Sequence, residues 1–189
     1  MLQHSINNIL DFSRIDRVIL PIHVSKFNLD TVYKQIKALF FYNFKEKGIS
    51  FELEIDPKVP KVFFPFSFNN HYLFKCIISD IDRIKQILII LIGNSLKFTF
   101  TGKIILKVEV LDATAIKYTV IDTGIGFKEH LKKSLFNYFQ SMDDSDYQHG
   151  IGLGLILCKH LINRLGPQQE IKIFSSEGKG SSISFGKIT

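Results

Sequence analysis

The stretch His149-Gly150-Ile151-Gly152-Leu153-Gly154-Leu155 alternates glycine with bulky apolar residues, and a helix-type apolar pattern follows it directly. Glycine lets a backbone approach a bulky ligand closely and adopt positive φ. The first turn of a helix presents unpaired N–H groups and the positive end of the helix dipole. The stretch is therefore typical of a loop that holds a phosphate chain. A tight turn before a packed helix has the same pattern, so the residues upstream must decide between the two.

Upstream and downstream of this stretch, the apolar periodicity predicts helices that alternate with strands. The predicted helices span residues 2–17, 30–48, 80–98 and 151–165, and the predicted strands span residues 24–29, 49–55, 102–110, 115–122, 170–175 and 181–188. Asp30 is the predicted N-cap of the second helix, and Leu39 and Phe40 belong to its predicted buried stripe. This order predicts an α/β fold, a two-layer sandwich whose mixed sheet is covered on one face by helices, with an N-terminal helix stump.

Two segments lack a clear period. Residues 62–78 are rich in aromatic side chains and contain Pro65 and the pair Asn69-Asn70, so we expect an irregular insertion whose loss leaves the fold intact. Residues 127–149 carry lysines and then aspartates without a strong helix or strand pattern. A long connection of this kind predicts a lid over a binding site.

The composition argues against several classes of protein. A hydrophobic content of 46% supplies a sizeable core for 189 residues, and no apolar run is long enough to cross a bilayer. The net charge of +6 comes from scattered lysines, which does not indicate a nucleic-acid surface. The spacing of Cys76 and Cys158 fits no metal site, so we expect buried thiols in a reducing compartment. We expect a cytoplasmic location, either as a free protein or as the cytoplasmic part of a membrane-bound one.

Four stretches follow one another along the chain. The first holds Asn94, Lys97 and Phe98 on the third predicted helix, and the second is Asp122-Thr123-Gly124-Ile125-Gly126 at a strand end. The third, within the lid, holds Phe136 and Phe139, and the fourth is residues 150–155. Each residue alone has an ordinary structural explanation, such as a solvated lysine, a turn-forming aspartate or a core phenylalanine. Together the four stretches resemble the N, G1, F and G2 boxes of the catalytic, ATP-binding domain of hybrid-type sensor histidine kinases, members of the wider superfamily of Bergerat-fold ATPases.

The resemblance implies a role for each matching residue. Asn94 and Lys97 are the implied catalytic residues, because Asn94 supplies a carbonyl oxygen to Mg²⁺ and Lys97 places its charge on a phosphate. Phe98 packs beside the nucleotide, and Asp122 accepts a hydrogen bond from the adenine amino group. The other implied ATP-binding residues lie in the second and fourth stretches: Gly124, Gly126, Gly150, Ile151, Gly152, Leu153 and Gly154.

The resemblance covers nearly the whole chain. It assigns residues 1–20 to the end of the second dimerisation helix and residues 21–189 to the catalytic domain. The implied ligands and partners are ATP or ADP with Mg²⁺, the dimerisation and phosphoacceptor helices of a homodimeric parent kinase, and a downstream receiver domain. The family's phosphoacceptor is a histidine followed by an acidic residue, and none of the six histidines has that setting. We therefore expect the phosphoacceptor to lie outside this sequence.

Position 90 departs from the family pattern. The N box usually begins with asparagine, whereas this chain has Ile90, one helical turn before Asn94. Isoleucine can neither ligate a metal nor orient a nucleophile. Two functions remain: a kinase domain that transfers the γ-phosphoryl of Mg·ATP to a histidine in a phosphorelay, or a degenerate nucleotide-binding regulatory module. An ATPase of the topoisomerase or mismatch-repair type would carry glutamate at position 90.

Overall fold

The structure, a computed structural model, describes residues 22–59, 61–63, 73–111, 115–128, 153–165 and 171–188. The predictions for the N-terminal helix, for nearly all of the lid and for residues 150–152 lie outside these residues. The helices are α1 Leu29–Leu39, α2 Phe41–Lys47, α3 Ile81–Phe98 and α4 Leu153–Leu165. The strands are β1 Ser25–Asn28, β2 Ser50–Ile55, β3 Lys61–Phe63, β4 Leu73–Ser79, β5 Lys103–Val110, β6 Ala115–Asp122, β7 Lys172–Ser176 and β8 Gly180–Ile188.

The larger sheet has five strands in the order β2-β5-β6-β8-β7. β2 runs parallel to β5, whereas the β5–β6, β6–β8 and β7–β8 pairs are antiparallel, so the sheet is mixed. Burial alternates along β5, where Ile104, Leu106 and Val108 are buried in the same core cluster as the apolar stripe of α3. Each such side chain contributes about 1.5–3 kcal/mol when it is fully buried. The predicted α/β sandwich is confirmed.

The prediction of an irregular insertion at residues 62–78 is wrong where the structure describes it. β4 lies in the middle of a second, three-stranded sheet with the order β1-β4-β3. It pairs antiparallel with β1, where Ser25 lies opposite Ser79, and with β3, where Lys61 lies opposite Lys75. Backbone pairing on both sides holds this strand, and its sequence carries no apolar–polar alternation for a pattern search to find. Residues 62–63 and 73–78 are therefore part of this sheet, and deleting residues 62–78 would remove its middle strand.

The second predicted helix is divided into two. The N-cap is Asn28 rather than Asp30, because the Asn28 Oδ1 accepts a hydrogen bond of 2.8 Å from the Asp30 N–H. α1 ends at Leu39, its C-cap Phe40 has a φ of −100° and a ψ of 9°, and α2 begins at the residue after Phe40. Phe40 is buried as predicted, but Leu39 is 43% exposed. The turn at Phe40 directs the phenylalanine ring inward and leaves Leu39 outside the stripe.

The third predicted helix is confirmed as α3. Its N-cap is Asp80, whose Oδ1 accepts hydrogen bonds of 3.0 Å from the N–H groups of Asp82 and Arg83. The other oxygen, Oδ2, accepts a hydrogen bond of 2.9 Å from the His23 N–H before β1. Ser79, the last residue of β4, directly precedes this cap. Asp80 therefore ties the N-terminus of α3 to the smaller sheet.

Lys47, in the last turn of α2, holds the other end of α3. Its Nζ donates hydrogen bonds to the carbonyl oxygens of Leu96, of Thr99 at 3.1 Å and of Lys97 at 3.5 Å. It also lies 5.4 Å from the ring centroid of Phe100. The last carbonyl groups of a helix lack intrahelical partners and carry the negative end of the helix dipole. Lys47 supplies donors and a positive charge to these groups.

Two expectations from composition concern the cysteines and the membrane. Cys158, on α4, is a fully buried free thiol, as predicted. The side chain of Cys76 lies outside the described residues. No helix in the described part of the chain combines the length and the apolarity that a membrane span requires.

We predict that Lys47→Met lowers the free energy of unfolding by about 1–3 kcal/mol, because it keeps the apolar stem and removes the donors at the end of α3. Equilibrium unfolding in urea measures the change. Lys45, which is exposed in the same turn of α2, gives the matched control Lys45→Met, with an expected change below about 0.5 kcal/mol. Equal changes for the two variants would show that the contacts of Lys47 with the α3 carbonyl groups add no stability.

Candidate functional site

The centre of the candidate site is the carboxylate of Asp122, the last residue of β6. The sheet register places Asp122 opposite Ile104 of β5 on one side and opposite Ser181 of β8 on the other. Its side chain is only 7% exposed. Oδ1 accepts hydrogen bonds from the N–H groups of Gly124, at 3.0 Å, and Ser181, at 3.2 Å. Oδ2 accepts a hydrogen bond of 3.1 Å from the Ser95 hydroxyl of α3. Three separate segments therefore orient one carboxylate.

The surroundings of Asp122 act on its pKa in opposite directions. Burial raises the pKa of Asp122 above its ordinary value, and the hydrogen bonds from Gly124, Ser95 and Ser181 oppose the rise. Because the native pKa is raised, the native chain binds this proton more readily than the unfolded chain does. The contribution of this group to stability is therefore present below the ordinary pKa and is lost as the pH rises through the raised one. A ligand that donates a hydrogen bond binds the ionised carboxylate, so its binding is favoured above the raised pKa and not below it.

Glycines allow the backbone to pass close to this carboxylate. Gly126 and Gly180 have φ values of 60° and 85°, in the left-handed region that favours glycine. A Cβ on Gly180 would overlap the backbone oxygen of Asp122, and a Cβ on Gly126 would overlap that of Ser176. A Cβ on Gly124 would lie 2.5 Å from the backbone oxygen of Phe98. The predicted glycines therefore pack the turn after β6 against the β7–β8 turn and the end of α3.

Thr99 adds a polar group beside this turn. It is fully buried, and its hydroxyl has no hydrogen-bond partner among the residues that the structure describes. A Cβ on Gly124 would lie 2.9 Å from the Thr99 Oγ1 and 2.9 Å from the Asp122 Oδ1. A buried hydroxyl of this kind usually bonds to water or to a ligand. The Thr99 hydroxyl could therefore form a hydrogen bond with a polar ligand beside Asp122.

The predicted phosphate-binding residues of α3 lie in its last turns. Asn94 is partly buried, and Lys97 is exposed. The Lys97 Nζ lies 5.0 Å from the ring centroid of Phe98, and partial desolvation lowers the pKa of Lys97. No carboxylate of the described ranges forms an ion pair with this lysine. Its charge therefore remains available to an anionic ligand.

The start of α4 packs against the side of α3 that carries Asn94 and Ile90. A Cβ on Gly154 would lie 2.9 Å from the Ile90 Cγ2 and 3.9 Å from the Asn94 Nδ2. Ile90 is 7% exposed and belongs to the core cluster. Gly154 is thus needed for the close packing of the two helices. The helix pair also brings Gly154, from the predicted fourth stretch, next to Asn94 of the first one.

The structure brings most of the described candidate residues together along α3. Ser95 connects this helix to Asp122, the Phe98 carbonyl accepts a hydrogen bond of 3.1 Å from the Ile125 N–H, and Asn94 lies beside Gly154. Leu153 begins α4, but its side chain lies outside the described residues, as do Gly150, Ile151 and Gly152. Sequence reasoning missed Ser95, Ser181 and Gly180, although Ser95 directly follows the predicted Asn94.

The candidate site offers few donor atoms for a metal ion. Within the described ranges no group of three or more histidine, cysteine or carboxylate side chains could hold one. Mg²⁺ does not need such a group, because it keeps several waters and takes one or two protein oxygens together with substrate phosphates. The partly exposed amide of Asn94, on the same helix as Lys97, fits that requirement as a single oxygen ligand.

Comparison with known proteins finds similar chains over this whole region. The family described as "Histidine kinase-, DNA gyrase B-, and HSP90-like ATPase" matches residues 79–188. Hybrid signal transduction histidine kinase B of Dictyostelium discoideum is 36% identical over 188 residues, which cover 95% of this chain and 9% of that protein. Signal transduction histidine-protein kinase BarA of Escherichia coli K12 is 32% identical over 186 residues, which cover 95% of this chain and 18% of that protein. The chain therefore spans less than a fifth of either relative.

Solved structures show the same fold. Full-length ShkA in complex with AMPPNP superposes with a TM-score of 0.77 at 22% identity, over 98% of this chain and 35% of that one. The histidine kinase ThkA in complex with the response regulator protein TrrA superposes with a TM-score of 0.69 at 23% identity, over 99% and 47%. The predicted fold class, a histidine kinase-type ATPase domain, is confirmed.

The contact between Gly154 and Ile90 gives a double-mutant test. We predict that Gly154→Ala destabilises the chain by about 1–2 kcal/mol, because overpacking against Ile90 outweighs the helix propensity that alanine gains. In an Ile90→Ala background, where Cγ2 is absent, the same change should be neutral or stabilising. Thermal and urea unfolding of the four chains measure the coupling.

Gly93 supplies the control for this test. It also lies in a helix, and its Cβ would meet the Phe40 ring at an ordinary 3.7 Å. Gly93→Ala should therefore be neutral or stabilise the chain by up to about 1 kcal/mol. Additive effects of Gly154→Ala and Ile90→Ala would contradict the close packing of the two helices.

Proposed function

The chain belongs to the histidine kinase-, DNA gyrase B- and HSP90-like ATPase family, and on that premise we propose that it is the catalytic domain of a hybrid-type sensor histidine kinase. It binds ATP with Mg²⁺ and transfers the γ-phosphoryl group to a histidine on a helix outside this sequence. The proposal rests on the buried Asp122 carboxylate, which is oriented by hydrogen bonds from three segments. One of these segments is α3, which also carries Asn94 and Lys97. A solved neighbour, ShkA, is described in complex with AMPPNP, an ATP analogue.

The base of the nucleotide is held at Asp122. Its carboxylate accepts the hydrogen bond of the adenine amino group, while Gly124 and Gly126 keep the turn after β6 free of side chains. A hydrogen bond to a charged group contributes roughly 1.5–3 kcal/mol. This term alone amounts to a factor of ten or more in affinity.

The phosphates are held at the last turns of α3 and the start of α4. The Asn94 carbonyl oxygen ligates Mg²⁺, Lys97 contacts a phosphate as a point charge, and Phe98 packs beside the nucleotide. The start of α4, at Gly154, limits the phosphate site on the side opposite α3. When bound, Mg²⁺ would neutralise charge on the phosphate oxygens. The protein positions the reacting groups and stabilises the transition state electrostatically.

The relatives and neighbours suggest the partners. Hybrid histidine kinases are similar over 95% of this chain, and ThkA is described in complex with a response regulator. We propose that residues 1–20 belong to a dimerisation helix, that the parent kinase is a homodimer in the cytoplasm, and that a receiver domain accepts the phosphoryl group.

One observation favours a second function, a nucleotide-binding regulatory module without kinase activity. Ile90 stands one turn before Asn94 and is buried against Gly154. An isoleucine side chain in this position cannot orient a nucleophile or a metal-bound water. Nucleotide binding depends on Asp122 and the glycines, so it survives this departure, whereas phosphoryl transfer is slowed.

We predict that Asp122→Asn lowers the affinity for ADP by about 10- to 100-fold, measured by calorimetry. The asparagine oxygen can replace Oδ1 as the acceptor for Gly124 and Ser181, which turns the amide nitrogen, a donor, towards the adenine amino group. Asp82→Asn is the control, since Asp82 is exposed at the other end of α3 and pairs with Lys85. An unchanged affinity in Asp122→Asn would remove the basis of the proposed base site.

We predict that Ile90→Asn raises phosphotransfer to an added histidine-bearing helical domain by about tenfold or more, because a polar group there completes the positioning of the reacting phosphate. Labelled phosphate on the added domain is the measurement. Ile90→Val keeps the packing without a polar group and should give no increase. If all three chains bind ADP and none transfers phosphate, the regulatory module is the correct function.

A further inference from the structure

Ser95 contacts the Asp122 carboxylate of the proposed base site through its hydroxyl group. It lies on α3 directly after Asn94 and is 4% exposed. Its hydroxyl lies 3.1 Å from the Asp122 Oδ2, and both side chains are buried. Within the described part of the chain, Ser95 is the one group seen to donate to this oxygen, because the two backbone donors, Gly124 and Ser181, both bind Oδ1.

The two oxygens of Asp122 are therefore not equivalent. Backbone N–H groups can only donate, so Oδ1 must act as an acceptor in every state of the site. A proton on the carboxyl group would have to sit on Oδ2. Burial raises the pKa of Asp122, which brings the protonated form closer to neutral pH, and the Ser95 hydroxyl opposes that rise. Whether Oδ2 accepts a hydrogen bond from a ligand or donates one to it thus depends on Ser95.

On the basis of the proposed ATP site, we propose that Ser95 determines base specificity: its hydroxyl donates to the Asp122 Oδ2 and keeps that oxygen an acceptor, which favours a 6-amino purine over a 6-oxo purine. An ionised carboxylate accepts from the amino group of adenine and repels the carbonyl oxygen of hypoxanthine. A carboxyl group protonated on Oδ2 would donate to that carbonyl oxygen instead. Ser95 acts through Asp122, and it need not contact the base itself.

A purely structural role for Ser95 makes a different prediction. If the hydroxyl only holds α3 against β6, its loss would displace Asp122 and weaken binding of every nucleotide by a similar factor. A role in specificity changes the ratio of two affinities instead. Sites built around a hydrogen bond reject an analogue that cannot make it far more strongly than they reject a change in apolar size.

The test uses the 189-residue chain with ADP and IDP, which differ only in the purine ring, and calorimetry at neutral pH. We expect the unaltered chain to prefer ADP by about 100-fold and Ser95→Ala to reduce that preference about tenfold. Ser95→Thr keeps the hydroxyl and should restore the preference to within about threefold. Ser95→Cys carries a weak donor and should fall between alanine and serine, which keeps the test decisive if the alanine chain is unstable.

Ser79→Ala is the matched control. Ser79 is also fully buried, but it precedes the N-terminus of α3, and a rise of 1.5 Å per residue places it roughly 20 Å along the helix from Ser95. Its ADP-to-IDP ratio should equal that of the unaltered chain. An unchanged ratio in Ser95→Ala, or equal losses for both nucleotides, would overturn the inference and leave the proposed function standing. Failure of the unaltered chain to bind either nucleotide would overturn the proposed function and this inference with it.

Discussion

The buried carboxylate of Asp122 constrains the rest of the structure. An ionised carboxylate loses several kcal/mol of hydration when it is buried, and only well-placed donors offset that loss. Its three donors come from the α3 helix, from the turn after β6 and from β8. These segments are far apart in the sequence, so the carboxylate is stabilised only when the helix layer and the sheet are both in place. The glycines at 124 and 180 are required because the backbone passes where a Cβ would stand.

The α3 helix connects the smaller sheet to the larger one. Its 18 residues span about 27 Å. Asp80 connects its first turn to the smaller sheet, and Lys47 binds the carbonyl groups of its last turn. The C-terminal end of α3, which Lys47 binds, carries Asn94, Ser95 and Lys97. The position of the candidate phosphate ligands relative to Asp122 is therefore set by contacts at both ends of one helix, and neither contact belongs to the site itself.

Local signals explain which parts of this arrangement could be predicted. The α3 helix and the β5 and β6 strands follow from the periodicity within each segment. β4 could not be found, because two neighbouring strands define it rather than an alternating pattern. The break at Phe40 and the exposure of Leu39 likewise depend on packing between segments. In the site, a motif identified Asp122, whereas the role of Ser95 appears only when α3 and β6 are placed side by side.

Position 90 shows how one residue links packing to chemistry. The start of α4 approaches α3 closely only because residue 154 is a glycine, and the Ile90 methyl group occupies the space that results. An asparagine at position 90 would place a polar group in this contact, next to Asn94. An apolar residue there strengthens the contact between α3 and α4 and removes a group that could orient a phosphate or a metal-bound water. The choice between the proposed kinase and the proposed regulatory module therefore depends on this one contact, because the proposed base site at Asp122 would serve either function.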